Sequence, residues 1–190
     1  MNGAGGAAAG TPGRVLVAGV GNVFLGDDGF GVEAVRRLSA SAAELPAGVE
    51  VVDFGVRGVH LAYQLLDGYR TLVLVDATQR GGEPGTVYLI EAAAGPVEAA
   101  EAALLDGHRM GPDAVLALLG TLSAGTDGTP PGRVLVVGCE PASLEEGMGL
   151  SAPVQAAVDE AVGVILRVLR EEQEEERAKA RPVEREASPC

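Results

Sequence analysis

Three apolar runs in this chain each deliver aspartate at or just beyond their ends: Val15–Val20 is followed by Asp27 and Asp28, Val49–Val52 by Asp53, and Thr71–Val75 by Asp76. Carboxylates there can serve as general bases or metal ligands, although polar residues are common wherever strands emerge. The only two histidines fall near the same places. His60 opens a helical segment just past the second run, and His108 precedes another that starts at Pro112. Asp28, His60 and His108 together would form an oxygen and nitrogen donor set, which suits nickel or zinc better than magnesium or calcium. From spacing alone, each histidine is equally well read as a helix-start or surface residue.

The elements that must position these groups can be read in order. The stretch VLVAGVGNVFLGDDGFGV, residues 15–32, is a β-branched run, a glycine break, an acid pair and a helix start. Gly19 and Gly21 are two glycines of a dinucleotide fingerprint, but Phe24 stands where the third belongs. Two aspartates at a helix start would also repel a pyrophosphate. One of them could cap the helix, and the other is then left for chemistry. Helical periodicity continues through Phe30, Val32, Val35 and Leu38. A strand follows at 49–53, a helix at 58–66 and a strand at 71–76, so β-α-β-α-β fills the first half. The run at 86–90 follows its turn too closely for a crossover helix, which predicts an antiparallel strand at or near an edge. Residues 91–105 read as a mobile loop, 112–119 as a helix, 133–137 as a strand and 154–169 as a long helix. The predicted fold is a three-layer α/β/α sandwich with a mostly parallel sheet and one antiparallel edge strand. Residues 1–13 read as a disordered Gly/Ala leader, 14–170 as one domain, and 171–190 as a charged tail without an apolar stripe, frayed helix at first and then disordered.

A net charge of -13 and only 3% aromatic residues argue against nucleic-acid binding, which wants a basic face and stacking rings. No apolar run reaches the length of a membrane span. Cys139 and Cys190 cannot supply a disulfide framework and no signal peptide is visible, so a cytoplasmic setting is expected. No G-x-S-x-G is present, and Cys139, at a strand end without a recognisable partner, reads as a small buried residue.

The segment GVGNVFLGDDGFGVEAV resembles the signature of the [NiFe]-hydrogenase maturation endopeptidases. The resemblance continues in DFGVRGVHLAYQLLDG, VLVDA, DGHRMGPDAVLALL and CEPASLEEGMGLSAPV, spanning about residues 14–169. It implies an endopeptidase that removes the C-terminal extension of the hydrogenase large-subunit precursor once nickel is in place. The nickel would be supplied by the substrate, with zinc or cadmium able to substitute in vitro, and the protein would be a monomer meeting its partner transiently. The family pattern implies Asp28 and His108 as ligands. It places a third on the second helix, where this chain offers His60 or, one turn on, Gln64. Imidazole is the better nickel ligand, which favours His60. Asp27 becomes the candidate general base, with Asp53 and Asp76 behind it. Gly55 and Gly58 flank Val56 and Arg57 in either a simple turn or a passage for a substrate strand, and Arg57 could pair with a substrate carboxyl terminus or with Asp53. The rival class is a non-proteolytic nickel-sensing or chaperone-type binding protein that uses the same ligands without a base.

Overall fold

The computed structural model describes residues 13–92, 120 and 129–180. His108, the helix expected from Pro112, Cys190 and the leader over residues 1–12 lie outside that range.

Five strands form one sheet: β1 (Arg14–Val20), β2 (Val49–Gly55), β3 (Tyr69–Ala77), β4 (Val87–Ala92) and β5 (Arg133–Cys139), in the order β2-β1-β3-β5-β4. All neighbours are parallel except β4, which runs antiparallel to β5 at the edge. The short link from β3 required this, since a parallel return needs a crossover.

Strand alternation sorts the core into two layers. Val15, Val17, Val73, Val75, Leu135 and Val137 face helices α1 (Phe30–Ala40) and α3 (Ala152–Ala180). Leu16, Ala18, Val20, Leu72, Leu74, Val134 and Val136 face the other way, toward Leu61 and Leu65 of α2 (Gly58–Leu65). Strands buried on both faces read as continuous apolar runs, which is why β1, β3 and β5 stand out in the sequence. On α1, Phe30, Val32, Val35 and Leu38 are buried, and each large side chain contributes roughly 1.5–3 kcal/mol.

The helix expected to fray beyond residue 170 is instead held. Helix α3 continues to Ala180, because a residue inside the charge run is anchored. Glu172 is 2% exposed. It accepts a hydrogen bond from the Thr71 hydroxyl at 2.6 Å and pairs with Arg133 at 2.6 Å and Arg70 at 2.9 Å. Those partners sit at the amino ends of β3 and β5, so the tail is bolted to the bottom of the sheet over its first turns.

Candidate active site

The carboxyl ends of the strands carry the opposite feature, a gathering of acids. Register places Gly19 of β1 beside Asp53 of β2 on one side and Val75 of β3 on the other, with Asp76 one residue further. A 3-10 turn, Gly26–Gly29, carries Asp27 and Asp28 over this end and leads into α1. Close approach makes the turn possible. Gly21, at φ +128°, lies so near the Asp28 carbonyl that any side chain would collide with it. Gly31 likewise lets α1 touch the Val20 and Val75 carbonyls.

The two adjacent acids have different fates, and neither side chain caps the helix. Asp27 is 1% exposed. Its Oδ2 accepts the Ala142 N–H at 2.8 Å, the Ser143 N–H at 3.1 Å and the Ser151 hydroxyl at 2.8 Å, while Oδ1 accepts the Ser151 N–H at 2.6 Å. Burial raises its pKa, but these bonds outweigh burial and the net displacement is downward. A carboxylate so fully engaged and so weakly basic is a clamp. That engagement argues against the expected role of Asp27 as the base. Around it, the Gly26 N–H donates to the Gly147 carbonyl at 2.9 Å and the Gly147 N–H to the Phe24 carbonyl at 2.9 Å, zipping the 22–29 loop to the 140–151 loop.

Asp28 is partly exposed, and one oxygen accepts the Asn22 N–H at 2.7 Å. Behind it, Asp76 is 7% exposed, and its pKa is pushed well above the usual carboxylate range by burial, with the charge of Asp28 adding to the effect. The structure therefore pairs an open carboxylate with a buried one that readily keeps its proton. Asp53 forms an ion pair with Arg36 of α1 at 3.3 Å. Arg57 does not meet the Asp53 carboxylate. Its guanidinium donates to the backbone carbonyls of Phe54 at 3.0 Å and Asp53 at 2.6 Å.

The two alternatives on α2 separate clearly. His60 is exposed in the first turn of the helix. Gln64 donates to Glu50 at 2.8 Å and to the Tyr69 hydroxyl at 3.0 Å, within a network that also holds Arg14 at the amino ends of β1, β2 and β3. Gln64 is thus engaged at the far end of the sheet from Asp28, which removes it as a ligand beside that residue. Among the described residues no three His, Cys, Asp or Glu side chains gather closely enough to hold a metal ion, and the expected set of Asp28, His60 and His108 includes a residue outside that range.

A groove of about 360 Å³ opens next to Asp28, lined by Asn22, Phe24, Asp53, Gly55, Val56 and Arg57 among others. A cleft at the carboxyl ends of parallel strands, walled largely by apolar side chains and joined through Asn22 to a partly exposed acid, is where a ligand site is expected in such a sheet.

A family model described as hydrogenase maturation protease matches residues 32–168. The chain belongs to the hydrogenase maturation protease family. The hydrogenase expression/formation protein HupD of Rhizobium leguminosarum is 35% identical over 158 residues, covering 83% of this chain and 74% of that protein. The hydrogenase 2 maturation protease of Escherichia coli is 30% identical, covering 83% and 92%. Among solved structures, the E. coli hydrogenase maturating endopeptidase HybD superposes with a TM-score of 0.65 at 30% identity, covering 83% of this chain and 93% of that one.

Within this family member, sequence reasoning underrated two residues. Asp76 was visible only as a strand-end acid, and its burial beside Asp28 depends on how the turn folds over β3. Glu140 is 5% exposed and accepts the N–H groups of Arg80 at 2.8 Å and Gly81 at 3.1 Å and the Tyr88 hydroxyl at 3.0 Å. Burial opposes its ionisation, but these donors hold its pKa below the ordinary value, and it secures the 80–88 turn. Cys139 is fully buried and its thiol is pushed up to about 12, chiefly by burial, so it is no nucleophile.

Proposed function

We propose that this family member is an endopeptidase that cleaves the C-terminal extension from the precursor of a [NiFe]-hydrogenase large subunit, recognising nickel already held by that substrate. The observation that carries the proposal is the Asp28–Asp76 pair next to the groove, a partly exposed carboxylate fixed by the N–H of the lining residue Asn22 with a buried acid of raised pKa behind it. Family membership supplies the reaction class, and the pair supplies groups suited to it.

In this scheme the substrate's nickel approaches Asp28, whose open oxygen is a hard donor within reach of the groove. His108, a good nickel ligand by type, is assigned to the same ion by its place in the DGHRMG motif. The substrate's nickel would polarise the scissile carbonyl; as water adds, a carboxylate would take its proton and return it to the amine that leaves when the C–N bond breaks. Asp27 is engaged elsewhere and Asp53 is paired with Arg36, which leaves Asp76, whose ionisation a cation at Asp28 would favour, as the candidate for that role. Asp76 therefore stands ahead of His60 as the second protein group near the metal.

The test is to incubate the protein with nickel-loaded and nickel-free large-subunit precursor and follow the precursor's mass. Loss of a C-terminal peptide only from the loaded form, abolished by Asp28→Ala, Asp76→Asn or His108→Ala and retained by His60→Ala, is the expected result. Cleavage that survives Asp76→Asn and fails with His60→Ala would restore the histidine to the ligand set. Binding without a mass change would identify a nickel-sensing or chaperone-type protein and overturn the proposal.

A further inference from the structure

The groove lined by Asn22 presents a guanidinium in a chain that is acidic overall. Three charged residues line it: Arg36, Asp53 and Arg57. Asp53 and Arg36 neutralise one another at 3.3 Å. Arg57 is pinned by two backbone carbonyls, which orient a guanidinium without cancelling its charge, and among the described residues no carboxylate lies within ion-pair distance of it. Arg57 is thus the charged side chain of the lining that has no ion-pair partner among the described residues, in a chain of net charge -13. A planar fork held rigid before binding loses little freedom when it takes up a carboxylate, which it can grip with two parallel N–H bonds. The rest of the wall is apolar, with Val23, Val32 and Phe54, and at the rim Phe24 is 64% and Val56 is 63% exposed.

We propose that this groove is a peptide subsite in which Arg57 binds a carboxylate of the substrate's C-terminal segment while Phe24 and Val56 pack on the apolar side chain next to it. This rests on the function proposed above. It adds a specificity rule, that the segment must present an acid beside an apolar residue. An acidic side chain and the chain's own terminal carboxylate share the required chemistry.

The test uses fluorescently labelled peptides spanning the C-terminal segment of the large-subunit precursor in three forms: native, C-terminally amidated, and with Asp and Glu side chains replaced by their amides. Fluorescence anisotropy reads binding to the full-length protein. The native form is expected to bind about tenfold more tightly than whichever form lacks the recognised carboxylate, and that form identifies the source. Arg57→Gln is expected to bind all three alike, with Arg57→Lys restoring part of the preference. A mere loosening of the turn would weaken every form in proportion and leave the ratio unchanged. No binding, equal binding by the wild type, or a preference that survives Arg57→Gln would overturn the inference. If Arg57→Gln melts, the wild-type ratio and Arg57→Lys carry the test. The mass assay on nickel-loaded precursor separates the two ideas. Cleavage without a carboxylate preference sinks the Arg57 rule alone, and a preference without cleavage sinks the protease alone.

Discussion

Asp27→Asn decides between a clamp and a base. The asparagine is nearly isosteric, so its best orientation puts the amide oxygen where Oδ2 was and keeps the bonds from Ala142, Ser143 and the Ser151 hydroxyl. The NH2 group then faces the Ser151 N–H, which had donated to Oδ1 at 2.6 Å, so donor meets donor. Losing one charge-assisted bond, weakening three others and burying an unmatched donor costs about 2–4 kcal/mol. For a domain of this size the melting temperature should fall by about 4–16 °C. A pH signature accompanies this loss. The native pKa of Asp27 lies below the unfolded value, so its contribution is complete above the unfolded pKa of about 3.9 and disappears as pH falls through the lowered native value. The stability difference between wild type and Asp27→Asn, measured by urea denaturation, should therefore be constant near neutrality and shrink only in acid. At a temperature where the variant is folded it should still process precursor. An Asp27→Asn protein as stable as wild type but unable to cleave would refute the clamp and return Asp27 to the chemistry.

Further outcomes follow from the same geometry. Asp28→Asn removes a negative charge beside Asp76 and should lower the Asp76 pKa, read from its carboxyl carbon-13 shift against pH; an unchanged value would mean burial alone sets it. Glu172→Ala removes the buried partner of Arg70, Arg133 and Thr71, though the arginines are partly exposed and keep Glu176 and Glu91, and should cost about 1–3 kcal/mol in denaturant titrations, whereas Glu174→Ala should cost little. Cys139 should resist iodoacetamide in the native protein at pH 8 and react only after unfolding, followed by peptide mass.

Much of the fold was legible because burial on both sheet faces writes itself into β1, β3 and β5 as unbroken apolar runs, and because the short link to β4 left one direction for it. The site was legible only as a set of strand-end acids. That Asp27 and Asp28 divide their tasks could not be read locally, since the partners of Asp27 lie 115 to 124 residues downstream. Nothing in the sequence marks Ser151 as the answer to Asp27. Glu172 was hidden for a different reason. In a run dominated by Glu and Arg, a solvated face is the natural reading, and only two arginines and a threonine at the foot of the sheet distinguish one glutamate from its neighbours. The choice between His60 and Gln64 rested on ligand chemistry alone until Glu50 and Tyr69 were seen to occupy the amide.

The distribution of these charges along the strand axis has a physical logic. At the amino ends of the strands acids meet bases: Glu172 with Arg70 and Arg133, and Glu50 with Arg14 beside Tyr69. At the carboxyl ends Asp76 is buried within reach of the Asp28 charge, and burial and that charge together favour its protonated form, a cost to folding that the opposite end and the Asp27 clamp offset. A cation arriving at Asp28 would offset that charge and favour ionisation of Asp76, adding a second negative group beside the ion. Nickel added with precursor should therefore stabilise the complex more for wild type than for Asp76→Asn, which cannot ionise. Equal stabilisation of the two proteins in a thermal-shift titration would show that Asp76 does not feel the ion, and would remove it from the proposed chemistry.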